Sequence, residues 1–162
     1  MMYTSYHDLR ITQLGNRSAL ACLTLAAQTF GKDSPQFRAV RDFTKEKRAG
    51  YVATIRNCVV GFIVYDNRSM DVAQILALAV NIPNRRQGIG GQLLGRVVRL
   101  PRREIIVTVD ERNIDAQLFL RSQGFPAVGI EDGHYIFRRS KASVAFPATE
   151  VQHSLQTVGA QQ

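Results

Sequence analysis

Cysteine is scarce in this 162-residue chain, and that scarcity sets the first bound. Cys22 and Cys58 are too few for a disulfide framework, and no C-x-x-C spacing offers zinc ligands. His7 and His153 lie far apart without ligand spacing, so no metal site is expected. Long apolar runs are missing too: the longest, Ala19 to Ala27, is interrupted by Thr24 and is too short to span a bilayer. The N-terminus, with His7, Asp8 and Arg10 so early, does not read as a signal peptide. These absences predict a soluble cytoplasmic protein with no membrane partner, and no internal repeat divides it.

Acidic residues are also in deficit, 13 against 21 Lys and Arg, which leaves a net charge of +8. The bases are dispersed from Arg38 to Lys141 rather than gathered in one arm, and no aromatic side chains are interleaved with them as a single-strand-binding surface requires. This counts against nucleic acid as the main partner and favours attraction for a smaller anion. A 45% apolar fraction suits one compact core. We place the domain at residues 1–139 and read 140–162 as a tail. Within that tail Val151, Leu155 and Val158 are spaced for one side of a short helix that Thr149 could cap.

The periodicities predict the order β-αα-βββ-α-β-α-ββ. Leu9 to Leu14 alternates as a half-buried strand. Ser18 is placed as the cap of a helix turning Leu20, Leu23 and Ala27 inward, and Ser34-Pro35 as the start of a second. Tyr51 to Arg56 and Val59 to Tyr65 pair around Asn57. Val72 to Val80, apolar without alternation toward its end, is a central strand covered on both faces. A helix runs from Gly88 to Leu100 with Leu93, Leu94, Val97 and Val98 inward, then a strand from Ile105 to Val109 and a helix from about Asn113 to Gln123. Asp132-Gly133 turns a final hairpin between Ala127–Ile130 and Tyr135–Arg138. The free edge of that hairpin suits either a monomer or a homodimer.

One segment carries most of the chemistry. After the central strand comes Arg85-Arg86-Gln87-Gly88-Ile89-Gly90-Gly91, which opens a helix. Three glycines let an anion approach the backbone, the helix N-terminus presents free N–H groups, and two arginines add positive charge. The spacing is not a dinucleotide fingerprint, because Leu93 stands where the third glycine belongs, and no Lys-Ser/Thr follows as a P-loop needs. Arg85-x-x-Gly88-x-Gly90 directly after a buried strand resembles the pyrophosphate loop of the GNAT superfamily of acyl-CoA N-acyltransferases. Downstream, Asn113-x-x-Ala116 and the terminal Gly124-Phe125 match that superfamily's second motif. The similarity extends from Leu9 to Arg139 and is nearest in pattern to the branch that acetylates ribosomal-protein N-termini.

The resemblance implies an α/β (α+β) fold: a single mixed, mostly antiparallel sheet of about seven strands with a splayed central strand, flanked by four helices. It also implies acetyl-CoA as co-substrate, with no metal. Gln87, Gly88, Ile89, Gly90 and Gly91 would hold the pyrophosphate through their amides, flanked by Arg85 and Arg86. The backbones of Leu78 and Val80 would pair with the pantetheine arm, and the Leu78 N–H would face the thioester oxygen. Asn113 would touch the same arm, although a helix N-cap alone would also explain it. The acceptor would be an amine, either a protein N-terminus or a small molecule, attacking the thioester directly.

The acid and base positions depart from the family. Its tyrosine acid corresponds to Leu120, its glutamate base to Thr108, and the central-strand glutamate of its lysine-directed members to Gln74. Tyr135 could replace the acid, Asp71 could act as a base through water, and His134 reads first as a solvated turn residue. A base contributes about 10²- to 10⁴-fold. Its loss weighs least on α-amines, of which roughly a tenth are neutral at pH 7 against about 0.04% of lysines. Two other classes stay open: a catalytically degenerate acyl-CoA-binding sensor or assembly subunit, and a nucleic-acid-associated scaffold.

Overall fold

The structure, a computed structural model, describes residues 8–141. The expected tail helix at Thr149 to Val158 lies outside the described residues, as do His7 and His153. Seven strands form one sheet: β1 (Leu9–Gln13), β2 (Arg48–Ile55), β3 (Cys58–Asp66), β4 (Val72–Val80), β5 (Glu104–Asp110), β6 (Ala127–Glu131) and β7 (His134–Ser140). Their spatial order is β1-β2-β3-β4-β5-β7-β6, and all neighbours are antiparallel except β4 and β5. Four α-helices flank the sheet: α1 (Asn16–Phe30), α2 (Pro35–Arg41), α3 (Ile89–Val98) and α4 (Ile114–Ser122). The expected mixed sheet and its flanking helices are therefore found.

Each helix pair covers one face. Leu93, Leu94 and Val97 of α3 and Leu120 of α4 share a core with Ile63, Ile75, Val109 and Phe137. On the other face, Cys22, Leu25 and Ala26 of α1 and Val40 of α2 pack on Phe62, Val64, Ala77 and Ala79. Of the inward stripe expected for α1, Leu23 packs against this core but Leu20 does not. Leu20 is 75% exposed, whereas Cys22 and Ala26 are fully buried. Almost every position from Ala19 to Ala27 is apolar, so periodicity does not separate two stripes, and the small side chains of Cys22 and Ala26 let the helix approach the sheet. The cap is also corrected. Gly15 is the N-cap, and Ser18 lies one turn inside, its hydroxyl donating to the Gly15 carbonyl at 3.1 Å. Ser34 caps α2 as expected, accepting from the Phe37 N–H at 3.1 Å.

β2 begins at Arg48, three residues before the expected start. Gly50 makes this possible, since a Cβ there would stand 2.3 Å from the Ile63 carbonyl oxygen. The two tight hairpins turn through residues with positive φ, Arg56-Asn57 and Asp132-Gly133, as type I′ geometry requires. β7 extends to Ser140, one residue beyond the domain limit read from sequence. β6 forms the outer edge with every residue exposed, including Val128 and Ile130.

β4 carries an irregularity that sequence does not reveal. Val64 pairs with Ala77 but Tyr65 with Ile75, so Leu76 is a bulge. Ala73 and Ile75 belong to the α3/α4 core, Leu76 and Ala77 to the α1/α2 core, and Leu78 returns to the first. The bulge thus resets the alternation halfway along the strand.

Candidate active site

The site starts where β4 and β5 part. Their parallel ladder runs from Val72↔Glu104 to Ile75↔Val107 and goes no further, although β4 continues to Val80 and β5 to Asp110. The direction of the freed backbone follows from the other side of β4. The Asn81 N–H donates to the Val60 carbonyl at 2.8 Å, so Asn81 turns its peptide groups to β3. Alternation then turns those of Val80 and Leu78 the other way, into the gap. The Val80 carbonyl oxygen accepts from Nε of Arg85 at 2.9 Å, which agrees with that direction.

Above the gap stands the N-terminus of α3. Gly88 is its N-cap at φ +78, a left-handed conformation that glycine adopts without penalty. Arg86 has φ +61, so the loop reverses sharply before the helix begins. No acidic residue lies in the first turn of α3, which leaves the positive end of the helix dipole uncompensated. Ile89 is buried and anchors the turn, while Arg85, Arg86 and Gly88 are exposed and Gln87, Gly90 and Gly91 are partly so. Gly90 and Gly91 allow α3 to settle against α4. A Cβ at Gly90 would meet the Phe119 ring at 3.4 Å, and one at Gly91 would meet Gln123 Oε1 at 3.1 Å. The Gln87 side chain donates to the Pro83 carbonyl at 3.4 Å.

Asn113 caps α4 at the upper end of β5, its Oδ1 accepting from the Ala116 N–H at 3.2 Å. Beside it, the Arg112 guanidinium holds the Asp110 carboxyl down to about 2, chiefly through their hydrogen bonds, with His134 adding a weaker attraction. α4 ends in a Schellman turn: Phe125 N–H donates to the Leu120 carbonyl at 3.0 Å, and Gly124 takes φ +82. Leu120, where the family's tyrosine would stand, is 3% exposed in the core, and Thr108 is exposed on the opposite face.

Tyr135 pairs with Val109 at the splayed end of β5, half-buried against the α3/α4 core, its ring 6.5 Å from that of Phe137. Asp71 is elsewhere. It lies beyond the lower end of β4, its carboxylate 3.5 Å from Arg103, and seven residues of strand carry it about 23 Å from Leu78. That separation removes it as a base. Gln74 is exposed four residues below Leu78.

Two buried groups were not anticipated. Arg102 is 8% exposed and ties the β3–β4 loop down, donating to Asn67 Oδ1 at 2.7 Å and the Met70 carbonyl at 3.3 Å. Nearby, burial and then the neighbouring Tyr51 push the Tyr65 hydroxyl up from its ordinary pKa. Loop arginines ordinarily read as solvated, so the sequence carried no signal for the first. Among the described residues no cluster of three His, Cys, Asp or Glu side chains could hold a metal, and no helix is long and apolar enough to cross a membrane.

Known proteins share this fold. The model of the Acetyltransferase (GNAT) family matches residues 18–125. No curated protein matches the chain. Among solved structures, Ard1 from Thermoplasma volcanium is 23% identical, with a TM-score of 0.67 over 82% of this chain and 97% of that one. Arabidopsis thaliana NAA60 in complex with acetyl-CoA is 14% identical, with a TM-score of 0.69 over 83% and 99%. An aminoglycoside 6'-N-acetyltransferase complexed with coenzyme A is 15% identical, with a TM-score of 0.68 over 81% and 96%. At these identities the solved structures establish likeness of fold.

Proposed function

Because the chain belongs to the GNAT acetyltransferase family, we propose that it transfers an acetyl group from acetyl-CoA to an α-amine, on a protein N-terminus or a small molecule. The observation that carries this reading is the gap between β4 and β5, with the Leu78 and Val80 peptide groups turned into it below the open N-terminus of α3. The amides from Gln87 to Gly91 hold the pyrophosphate, and Arg85 and Arg86 neutralise it. Val80 and Asn113 flank the pantetheine arm. The Leu78 N–H donates to the thioester oxygen as negative charge develops there, a contribution that survives the missing acid and base. Tyr135, on the cofactor's face of the sheet, protonates the departing thiolate. An α-amine fits better than a lysine because about a tenth of it is already neutral at pH 7.

Ard1 and NAA60 among the solved neighbours favour a protein N-terminus, whereas the aminoglycoside enzyme keeps small amines in play. The buried Leu120 favours a second reading, an acyl-CoA-binding subunit without turnover. Thiol release from acetyl-CoA over a panel of N-terminal peptides, aminoglycosides and free lysine decides between them. Turnover with α-amino peptides is expected; tight acetyl-CoA binding with no release above the buffer rate for any amine would establish the second reading instead. Tyr135→Phe should slow release by roughly 10-fold or more at unchanged acetyl-CoA affinity, and an unchanged rate would remove the acid role.

A further inference from the structure

The two faces of the sheet offer different routes to the gap. α3 and α4 cover the face on which the cofactor loop sits, and α1 and α2 cover β2 to β4 on the other. Over β5 and β7 on that second face the described residues leave the sheet open: Thr108 and Arg138 are exposed, and Ile106 and Ile136 are half-exposed. A donor entering from the α3/α4 side therefore leaves the acceptor to approach over Thr108 and Ile136.

Leu78 lies three residues beyond Ile75, and Asp110 lies three beyond Val107, the last paired residues of β4 and β5. At about 3.3 Å per residue both stand roughly 10 Å above the point of separation, level across the gap. Asp110 pairs with His134, and both side chains take the acceptor face, since Val109 and Tyr135 take the other. Nδ1 of His134 is 2.8 Å from the Asp132 carbonyl oxygen. A carbonyl only accepts, so Nδ1 carries the proton and the lone pair of the neutral ring is on Nε2. The Glu111 N–H, donating to the Gly133 carbonyl at 2.9 Å, fixes the hairpin turn against the β5–α4 turn.

We propose that His134 is the proton acceptor of the reaction, drawing a proton from the incoming ammonium through one water on the acceptor face. The inference rests on the acetyl-transfer reading above. The ammonium gives its first proton to Nε2, and the neutral amine forms the C–N bond to the thioester carbon. As the C–S bond breaks, the second proton leaves nitrogen and one reaches the thiolate by way of Tyr135. The imidazolium then returns its proton to solvent. The charges around the ring come from both turns: Asp110, Glu111 and Arg112 on one, Glu131 and Asp132 on the other. With Arg112 engaging Asp110, the carboxylates in excess attract an arriving ammonium.

His134→Gln tests the assignment on the full chain with an α-amino peptide. Without the base only the neutral tenth of the amine reacts at pH 7, so turnover should fall about 10-fold there and less than 2-fold at pH 9, where the amine is neutral by itself. Acetyl-CoA affinity should be unchanged, and added imidazole should restore a His134→Ala variant. An equal loss at both pH values without imidazole rescue would mark a structural role and overturn the proposal, as would no loss at pH 7. If the unmodified chain binds acetyl-CoA yet acetylates no amine, the acetyl-transfer reading fails and this proposal falls with it.

Discussion

Replacing Gly91 by aspartate should strengthen the free protein and weaken its hold on acetyl-CoA. Gly91 is the third residue of α3, whose first turn has no acid to balance its dipole. An aspartate there gains about 0.3–1 kcal/mol from the dipole and about 0.3 kcal/mol from replacing glycine within a helix. The new Cβ would meet only the end of Gln123, at 3.1 Å from Oε1, and that amide can turn to offer Nε2 to the carboxylate. The melting temperature without ligand should therefore rise by about 2–3 °C for a domain of this size. The same carboxylate would stand about 6 Å from a pyrophosphate carrying two negative charges. Even at the dielectric of bulk water the repulsion is about 1.4 kcal/mol, a tenfold loss of affinity, and it is larger at a protein surface. At a concentration 100 times the unmodified Kd, acetyl-CoA adds about 2.7 kcal/mol to the parent and at most about 1.4 kcal/mol to the variant. The order of the two melting temperatures should then invert. Calorimetry of both proteins with and without acetyl-CoA reads this directly. An equal ligand shift in both would place the pyrophosphate away from α3 and refute the cradle.

Two further outcomes follow from burial. Leu120→Tyr, which restores the family's tyrosine, should destabilise the fold by about 1–3 kcal/mol in chemical denaturation rather than raise turnover, because the position is 3% exposed in a packed core; a stable, faster variant would refute this. Burial pushes the Cys22 thiol up to about 12, so it should resist alkylation at pH 8 while exposed Cys58 reacts, a difference checked by mass spectrometry before and after unfolding. The sign for stability follows. The folded state keeps Cys22 protonated while the unfolded chain ionises near 9, so this contribution is complete below pH 9 and declines by up to about 1.4 kcal/mol per pH unit as pH rises toward 12.

What the sequence revealed depended on whether one residue type had one structural explanation. Gly88, Gly90 and Gly91 were legible because a helix start seldom needs three glycines unless something must come close, and the Asp132-Gly133 turn because its dihedrals admit few residues. β4 was legible in extent, Val72–Val80, from its apolar run. Its bulge was not, because Leu76 and Ala77 are both apolar and no polar residue marks the change of face. The same ambiguity put Leu20 in the buried stripe of α1. Long polar side chains were the least readable. Arg85 could reach either a phosphate or a peptide group, and here its Nε lies on the Val80 carbonyl. Asp71 was near the site only in the sense that it directly precedes the strand that carries it.

The bulge at Leu76 acts on β4 as a shift of reading frame. In an L-peptide strand, the face a side chain takes and the neighbour its amide addresses are locked together, so both change phase at the extra residue. Below it, Ile75 addresses β5 and completes the ladder; above it, Leu78 and Val80 inherit that direction with no strand to receive it. Were Leu76 paired in regular alternation instead of being absorbed as a bulge, the upper half of β4 would move by one step. Ala77 and Ala79 would then fill a core shaped for Leu78 and Val80, and the amide of Leu78 would be spent on β3. Whether this strand has an N–H to give a thioester is decided by the bulge that takes one residue out of the alternation two positions before the leucine that would give it.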